Sequence, residues 1–391
     1  MALQRNIIQN TITKNLSLPL NIDTEENWAD AFWGMELLQY QSPWATGRIN
    51  LAFESFIART PFFQKALLEL VSANYPGMYV KQVSSLLSSI SDMKTYAMAA
   101  EYIMRHDISL LPDLKTKINN KIKQLVKGEK DAAIAHQLFN RVNNLQQEDQ
   151  YIPLEAILHP GFLKNATILF SFQRKNRDYP GIAVIRDSAG DFILDDKGTI
   201  FSVPQLGRSI SNLPGYLTNG NTPQGIFRMF GFDTSKTTLI GPTTNIQLTM
   251  PFETSLQHFF RDSTITDTNW TEKWYSKLVP GKLKNNNALY EAFYAGKAGR
   301  TEIIAHGTTV DPDYYKDKIY YPQTPTMGCL CTKETWSDIT GERLESDQAK
   351  LVEALQKAGG PDGYCVVIEL NDKQQPVSVE DILPWIINQS E

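Results

Sequence analysis

The stretch Ala166-Thr-Ile-Leu-Phe-Ser-Phe172, followed by Gly181-Ile-Ala-Val-Ile-Arg186, divides the sequence into two halves of different character. Both stretches are short apolar runs rich in β-branched and aromatic residues and bounded by turn residues, which is typical of β-strands. Similar runs continue through Thr301-Glu-Ile-Ile-Ala-His306 to the apolar run that begins at Tyr364. We therefore predict a mainly antiparallel β domain over residues 161–391.

The sequence before this boundary has the pattern of amphipathic helices, with apolar residues three or four positions apart. Tyr75-Pro-Gly77 should end one helix, and Asp92 is a suitable N-cap for a later one. Short helices joined by short turns resemble a bundle or a repeat-like solenoid, although no repeating signature identifies a repeat type. We predict an all-α domain over residues 1–160 and hence an α+β multidomain protein.

A second break in the pattern falls inside the β half, at about residues 263–300. Six aromatic residues there are spaced for one or two short helices: Trp270, Trp274, Tyr275, Tyr290, Phe293 and Tyr294. We interpret this segment as a helical insertion. It is long enough to form a lid, but a small satellite core of its own aromatic residues is the simpler expectation.

Composition excludes several classes of protein. The chain has 391 residues, 42% hydrophobic and 21% charged, which fits two globular domains. The formal net charge of -5 offers no basic surface, so we expect no nucleic-acid partner. No apolar run of about 18 residues occurs, so no membrane span is expected. The N-terminus has no signal-peptide core, so the chain is either cytosolic or trimmed of a signal.

The residues with nucleophilic chemistry are three cysteines, which are too few for a disulfide scaffold and not spaced for a zinc site. Cys329 lies in Thr326-Met-Gly-Cys-Leu-Cys331, between a proline-rich loop and a predicted helix, where a side chain can be exposed. A thiol attacks a carbonyl as thiolate and needs a base, and His306, at a strand end, is the best placed of the five histidines. An isolated cysteine is more often a small buried hydrophobe, and Cys365 in an apolar strand fits that description.

Four motifs in order resemble the catalytic domain of the L,D-transpeptidases. They are Thr222-Pro-Gln-Gly-Ile-Phe227, Met250-Pro-Phe252, His306-Gly-Thr308 and Thr326-Met-Gly-Cys-Leu330. The resemblance covers about residues 165–370 and does not reach the helical half. It is most specific at the His-Gly-Thr and Gly-Cys motifs.

The resemblance implies that Cys329 attacks the bond between an L-centre and a terminal D-residue of a peptidoglycan peptide stem, forming a thioester. His306 would accept the thiol proton and pass it to the leaving amine, held in one tautomer by the carbonyl of Gly307. Backbone N–H groups from Gly328 to Leu330 would stabilise the oxyanion. This chemistry requires no metal and no cofactor, and it implies a location in the periplasm or cell envelope.

Departures from the family pattern concern the rim of the site. Between His306 and Cys329 the spacing is 23 positions, longer than the family's, so residues 310–323 should form an enlarged loop. Met327 stands where the family usually has histidine, and Cys331 stands where it usually has arginine or asparagine. The candidate substrate-binding residues are Arg228, Thr308, Thr326 and Met327. Arg228 is equally well explained as a solvated strand arginine.

Three functions remain open on the sequence. A second amine would resolve the thioester in a transpeptidase, whereas water would resolve it in an L,D-carboxypeptidase or endopeptidase with the same Cys329 and His306. A disulfide between Cys329 and Cys331 would silence the nucleophile. If catalysis is lost, the protein would bind wall peptides without cleaving them, and the helical domain would recruit protein partners.

Overall fold

The computed structural model describes residues 2–144, 151–337 and 339–387. These residues form two compact units. The helical unit comprises the described part of Met1–Gln147 together with Ile210–Gly220, and the barrel unit comprises the described parts of Glu148–Ser209 and Asn221–Glu391. The helical N-terminal region and the mainly β C-terminal region that the sequence predicts are both present, which confirms the α+β class.

Helices α1 to α9 build the helical unit, and a π-helix at Ile7–Thr13 joins the first two. They are α1 (Ala2–Asn6), α2 (Lys14–Ser17), α3 (Glu25–Leu38), α4 (Pro43–Glu54), α5 (Pro61–Asn74), α6 (Val80–Leu86), α7 (Met93–His106), α8 (Leu111–Leu125) and α9 (Glu129–Asn144). Among the described residues, no helix is both long enough and apolar enough to cross a membrane.

Local signals set the ends of these helices. The Asp92 carboxylate accepts a hydrogen bond from the Thr95 N–H at 2.9 Å and so caps the start of α7. Helix α5 ends two residues before Pro76, and Gly77 follows with a φ of +76°, in the left-handed region that favours glycine. After this turn, α6 is short and is followed by a 3-10 turn at Leu87–Ser89.

Segment 210–220 comes from the middle of the chain but groups with the helical unit. The Tyr216 hydroxyl donates to the buried Glu101 carboxylate at 2.8 Å, and the Asn219 amide donates to Glu69 at 3.1 Å. Because these contacts join residues more than 100 positions apart, no local pattern predicts them. The predicted division at residue 160 therefore misses this segment.

The described residues contain ten strands, and eight of them close a barrel in the order β1-β10-β4-β5-β6-β7-β3-β2. The strands are β1 (Thr167–Gln173), β2 (Gly181–Arg186), β3 (Val203–Leu206), β4 (Gly225–Asp233), β5 (Asn245–Thr249), β6 (Ile304–Gly307), β7 (Leu330–Thr332), β8 (Glu334–Trp336), β9 (Arg343–Ser346) and β10 (Asp362–Glu369). Strands β8 and β9 form a separate hairpin. In the barrel, only the β1–β10 and β6–β7 pairs are parallel.

The helices of the barrel unit are short, apart from the one that precedes β10. They are α10 (Leu154–Leu158), α11 (Leu256–Phe260), α12 (Glu272–Tyr275), α13 (Glu291–Lys297), α14 (Asp347–Lys357) and α15 (Leu383–Ile387). Helix α10 lies before residue 160 but packs in the barrel unit. Its residues Leu154, Ile157 and Leu158 are buried in the same apolar cluster as strand residues such as Phe170.

Alternation along the strands separates two apolar cores. The inner core takes side chains from all eight barrel strands, such as Leu169 and Cys365, and α14 adds Leu351 and Leu355. The outer core lies against the opposite face of the strands and includes Phe170. Since both faces of β1 are covered, its sequence is a nearly continuous apolar run.

The insertion at about 263–300 packs on this outer face. Tyr275, Tyr290 and Phe293 are buried in the same cluster as strand residues of β1, β2 and β10. The Tyr275 hydroxyl also donates to the Leu289 carbonyl at 2.9 Å. The sequence suggested that these aromatic residues form a small satellite core of their own, and this expectation is wrong. They extend the outer core of the barrel, because large aromatic faces are most stable where strand side chains are already buried.

Two further segments of the barrel unit are irregular. The run Asp191-Phe-Ile-Leu-Asp195 reads as a strand but forms only single bridges, at Phe192 and at Leu194. The loop at residues 310–323 contains a 3-10 turn at Pro312–Tyr315, and Tyr315 and Tyr320 are buried against Leu206. The loop is therefore packed by its own side chains.

Candidate functional site

His306 lies on the outer face of β6. Its neighbour Ala305 points into the inner core, so strand alternation turns the histidine ring outward. The ring is nevertheless only 3% exposed, and its Nδ1 lies 2.8 Å from the Gly307 carbonyl oxygen. Because a carbonyl oxygen can only accept, Nδ1 carries the proton and Nε2 keeps a lone pair.

Burial also sets the charge of this ring. Loss of solvent lowers the pKa of His306 to about 4, although the hydrogen bond to Gly307 acts in the opposite direction. The imidazole is therefore neutral at physiological pH. A neutral imidazole with a free Nε2 lone pair has the form that a general base requires.

Gly307 has a packing role beside its hydrogen bond. A Cβ added at this position would lie 1.9 Å from Oε2 of the buried Glu334. The other oxygen of Glu334 accepts from Ser346 at 2.7 Å and from the Thr243 hydroxyl. The strand that carries His306 thus needs glycine here because a carboxylate occupies the space of a side chain.

Cys329 lies one residue before β7, on a tight turn. Gly328 has a φ of +112°, a conformation that residues with a side chain rarely adopt. The Thr326 hydroxyl donates to the Cys329 carbonyl and accepts from the Gly328 N–H, both at 2.9 Å. The Thr222 hydroxyl donates to the Gly328 carbonyl at 2.8 Å, so a motif distant in sequence holds this turn.

These bonds bear on the predicted oxyanion donors. The Gly328 N–H already donates to Thr326, so it reaches an oxyanion only if that bond is exchanged. Leu330 is the first residue of β7, and its side chain is buried in the inner core. The oxyanion role of the backbone from Gly328 to Leu330 stays a prediction.

The strand register relates the cysteine to the histidine. In the parallel β6–β7 pair, Ala305 lies opposite Leu330 and His306 lies opposite Cys331. Cys329 is two residues before Cys331 and so falls on the same outer face as His306. Among the described residues, however, the Cys329 Sγ has its hydrogen bond with the Glu302 carbonyl at 3.5 Å and none with His306. The expected proton-accepting contact is not formed in this state.

The three cysteines differ in access. Cys329 is partly exposed, whereas Cys331 and Cys365 are fully buried, and all three are free thiols. Burial raises the pKa of Cys331 to about 12 and also raises the pKa of Cys365. Cys365 is a core residue, as expected. Access to a substrate therefore favours Cys329 as the nucleophile.

The environment of the Cys329 sulfur has opposing effects on its ionisation. Burial raises the pKa of the thiol, and the charge of Glu302 adds to this effect. The Ile304 N–H and the Arg300 guanidinium both lower that pKa, and the net shift is upward. The resting cysteine is therefore a protonated thiol at neutral pH.

The remaining predicted residues lie in different surroundings. Met327 is 50% exposed at the turn. The Thr308 hydroxyl is buried and donates to the Leu239 carbonyl at 2.9 Å. The Arg228 guanidinium forms an ion pair with Asp362 and lies 4.8 Å from the Tyr364 ring centroid. Because β5 separates β4 from β6, the structure does not bring Arg228 to the cysteine.

The loop that precedes β6 contains two residues near the candidate site that the sequence motifs do not indicate. Arg300 and Glu302 both interact with Cys329, and Glu302 has a left-handed φ of +63°. The Glu253 carboxylate accepts from the Glu302 N–H at 2.8 Å and from the Met250 N–H at 2.6 Å, which holds the loop in place. The one available signal was the charged Arg-Thr-Glu run directly before an apolar strand that ends in histidine.

Among the described residues, no group of three or more His, Cys, Asp and Glu side chains is arranged to hold a metal ion. Comparison of the chain with models of protein families, with curated proteins and with solved structures yields no match.

Proposed function

We propose that the barrel unit is a cysteine acyltransferase of the cell envelope that acts on peptidoglycan peptide stems as an L,D-transpeptidase. The observation that carries the proposal is the placement of two groups on neighbouring parallel strands. A partly exposed Cys329 precedes β7, and a neutral His306, oriented by the Gly307 carbonyl, lies on the same face of β6. The order of the motifs along the chain supports the resemblance to the L,D-transpeptidase catalytic domain.

In the proposed reaction the Cys329 thiol gives its proton to Nε2 of His306 while the sulfur attacks the stem carbonyl carbon. A C–S bond forms, the C–N bond to the terminal D-residue breaks, and the leaving amine takes the proton from the imidazolium. A second amine then attacks the thioester and releases the thiol. The sulfur must first leave the Glu302 carbonyl, since catalytic hydrogen bonds often form only in the substrate complex.

One observation favours a second function. The resting thiol donates to Glu302 rather than to His306, and its pKa is raised. A protein that only binds wall peptides would need no reactive thiolate and would tolerate this state. In that case the cleft would recognise stems without forming a thioester.

Mass spectrometry of products distinguishes these functions. The full chain would be incubated with disaccharide tetrapeptide under reducing conditions, beside Cys329→Ala, His306→Asn and the matched control Cys331→Ala. We expect cross-linked dimers from the unmodified protein and from Cys331→Ala only. Trimmed tripeptide in place of dimers would indicate a hydrolase that uses the same thiol. Equal product, or none, from all four proteins would refute the catalytic proposal, and retained binding of the tetrapeptide would then support the binding function.

A further inference from the structure

Arg300 is a buried cation to which the proposed reaction assigns no role. It lies between α13 and β6, is 6% exposed, and its Nη1 donates to the Asn221 carbonyl at 2.6 Å. Burial lowers the pKa of the guanidinium to about 10, so it still carries its charge at neutral pH. Keeping a charge away from water is costly unless nearby groups interact favourably with it.

The anchors of Arg300 are the same segments that hold the cysteine. Glu302, two residues further along the loop, accepts the hydrogen bond from the Cys329 sulfur at 3.5 Å. Thr222, which follows the anchoring Asn221, holds the turn at Gly328 with a bond of 2.8 Å. The guanidinium is therefore anchored to the segment that holds the Cys329 turn, and its charge acts on the sulfur.

Two other charged groups around Arg300 also have partners of their own. The Arg177 guanidinium has an ion pair with Glu369 at 2.9 Å. The Glu253 carboxylate accepts two backbone N–H groups that hold the loop. Among the described residues, two charged groups act on the Cys329 sulfur: Glu302 raises the pKa of the thiol, and Arg300 lowers it.

The histidine alone is a weak base for this thiol. His306 has a pKa of about 4, and the pKa of Cys329 is raised above an ordinary value of 9.0. Proton transfer between them at rest is thus disfavoured by a factor of about 10⁵ or more. Because Arg300 lowers the pKa of Cys329, loss of its charge would make this transfer still less favourable.

We propose that Arg300 is a positioning residue for the nucleophile, whose buried guanidinium stabilises the thiolate of Cys329. This assignment rests on the proposed nucleophilic role of Cys329. Arg300 stays protonated throughout, and in the reaction the thiol proton passes to Nε2 of His306, which then gives it to the leaving amine.

Alkylation of the full chain tests this assignment without any wall substrate. Rates of modification of Cys329 by neutral iodoacetamide and by anionic iodoacetate would be measured between pH 6 and pH 10, with peptide mapping to locate the label. In Arg300→Gln we expect the midpoint of the pH dependence of Cys329 alkylation to rise by about 1 unit. The ratio of the iodoacetate rate to the iodoacetamide rate should fall about fivefold. Arg300→Lys should restore both values, because it keeps the charge. Arg261→Gln, the matched control at a 47% exposed side chain, should behave like the unmodified protein.

An unchanged midpoint and an unchanged ratio in a folded Arg300→Gln protein would overturn the assignment. If that variant does not fold, the unmodified protein decides the question. At equal thiolate fraction, its rate ratio should exceed that of free N-acetylcysteine, and a ratio at or below the free thiol would overturn the assignment. Arg300-dependent alkylation without any product from tetrapeptide would instead refute the transpeptidase proposal and leave the electrostatic role standing.

Discussion

Acidification should destabilise the barrel unit through His306. The buried ring has a pKa of about 4 in the folded protein against an ordinary 6.5. Between these values the unfolded chain binds a proton that the folded protein does not bind. The stability that the neutral ring contributes is therefore fully present above pH 6.5 and is lost as the pH falls towards 4. A difference of this size corresponds to about 3 kcal/mol.

The variant His306→Asn isolates this contribution. Asparagine has no titration in this range, and its amide can still donate to the Gly307 carbonyl. The free energy of unfolding of β6 and β7 would be measured by hydrogen exchange and mass spectrometry in increasing urea, at pH 7.5, 5.5 and 4.0. Peptides from these strands report the barrel unit alone, so titrations in the helical unit do not contribute.

The expected result is a change with pH in the difference between the free energies of unfolding of the two proteins. Relative to the unmodified protein, the free energy of unfolding of His306→Asn should rise by about 3 kcal/mol between pH 7.5 and pH 4.0. His258→Asn is the matched control, since it replaces an exposed histidine of the same unit. A His306→Asn difference that stays constant within about 0.5 kcal/mol across the range would refute the burial argument.

Three other substitutions test the packing. Gly307→Ala places a Cβ 1.9 Å from Glu334 and should cost about 1 to 3 kcal/mol by overpacking, measured as a fall in the thermal midpoint of the barrel unit. Tyr216→Phe removes one donor from the buried Glu101, which keeps its ion pair with Arg141, and should cost about 0.5 to 1.5 kcal/mol, measured as faster proteolysis within segment 210–220. Burial raises the pKa of Glu69 to about 7, so stability is lost as the pH rises from 4.5 to 7. Relative to the unmodified protein, the free energy of unfolding of Glu69→Gln should gain about 3 kcal/mol between pH 4.5 and pH 8, measured by urea unfolding of the helical unit.

Two of these substitutions have a control in the same unit. Gly281→Ala adds a Cβ with no atom within 4 Å and should leave the thermal midpoint unchanged. Glu26→Gln is the control for Glu69→Gln, because it replaces an exposed carboxylate of the same unit. Equal falls in the thermal midpoint of Gly307→Ala and Gly281→Ala would contradict the packing argument for Gly307. Equal pH-dependent changes in the stability of Glu69→Gln and Glu26→Gln would contradict the burial argument for Glu69. Unchanged cleavage of Tyr216→Phe would show that the segment is held by other contacts.

Helix ends were the part of the fold most open to prediction. The sequence indicates a helix from Ser346 to Ala358, and α14 runs over Asp347–Lys357 with Ser346 accepting from the Ala349 N–H at 2.9 Å. Gly359 and Gly360 follow with φ values of +105° and +96°. Capping and left-handed turns depend on a few neighbouring residues, so they are visible in the sequence.

Barrel closure was less open to prediction, because it depends on pairing between distant segments. The sequence suggests that the strand at Tyr364 completes the sheet, and β10 does lie between β1 and β4. That β10 runs parallel to β1, with Cys365 opposite Leu169, follows from nothing local. Alternation also does not reveal that helices of the insertion cover the second face of the strands.

For the candidate site, the sequence alone indicates which residue types could react and the turn that presents one of them. His306 before glycine at a strand end, and Cys329 after Gly328, can be recognised from local chemistry because backbone conformation and residue type are local properties. The fold was needed to show that the Cys329 sulfur contacts the Glu302 carbonyl and is influenced by the charge of Arg300, and that segment 210–220 belongs to the helical unit. These features depend on burial and on contacts between residues far apart in the chain, which set both the charge of a side chain and its neighbours.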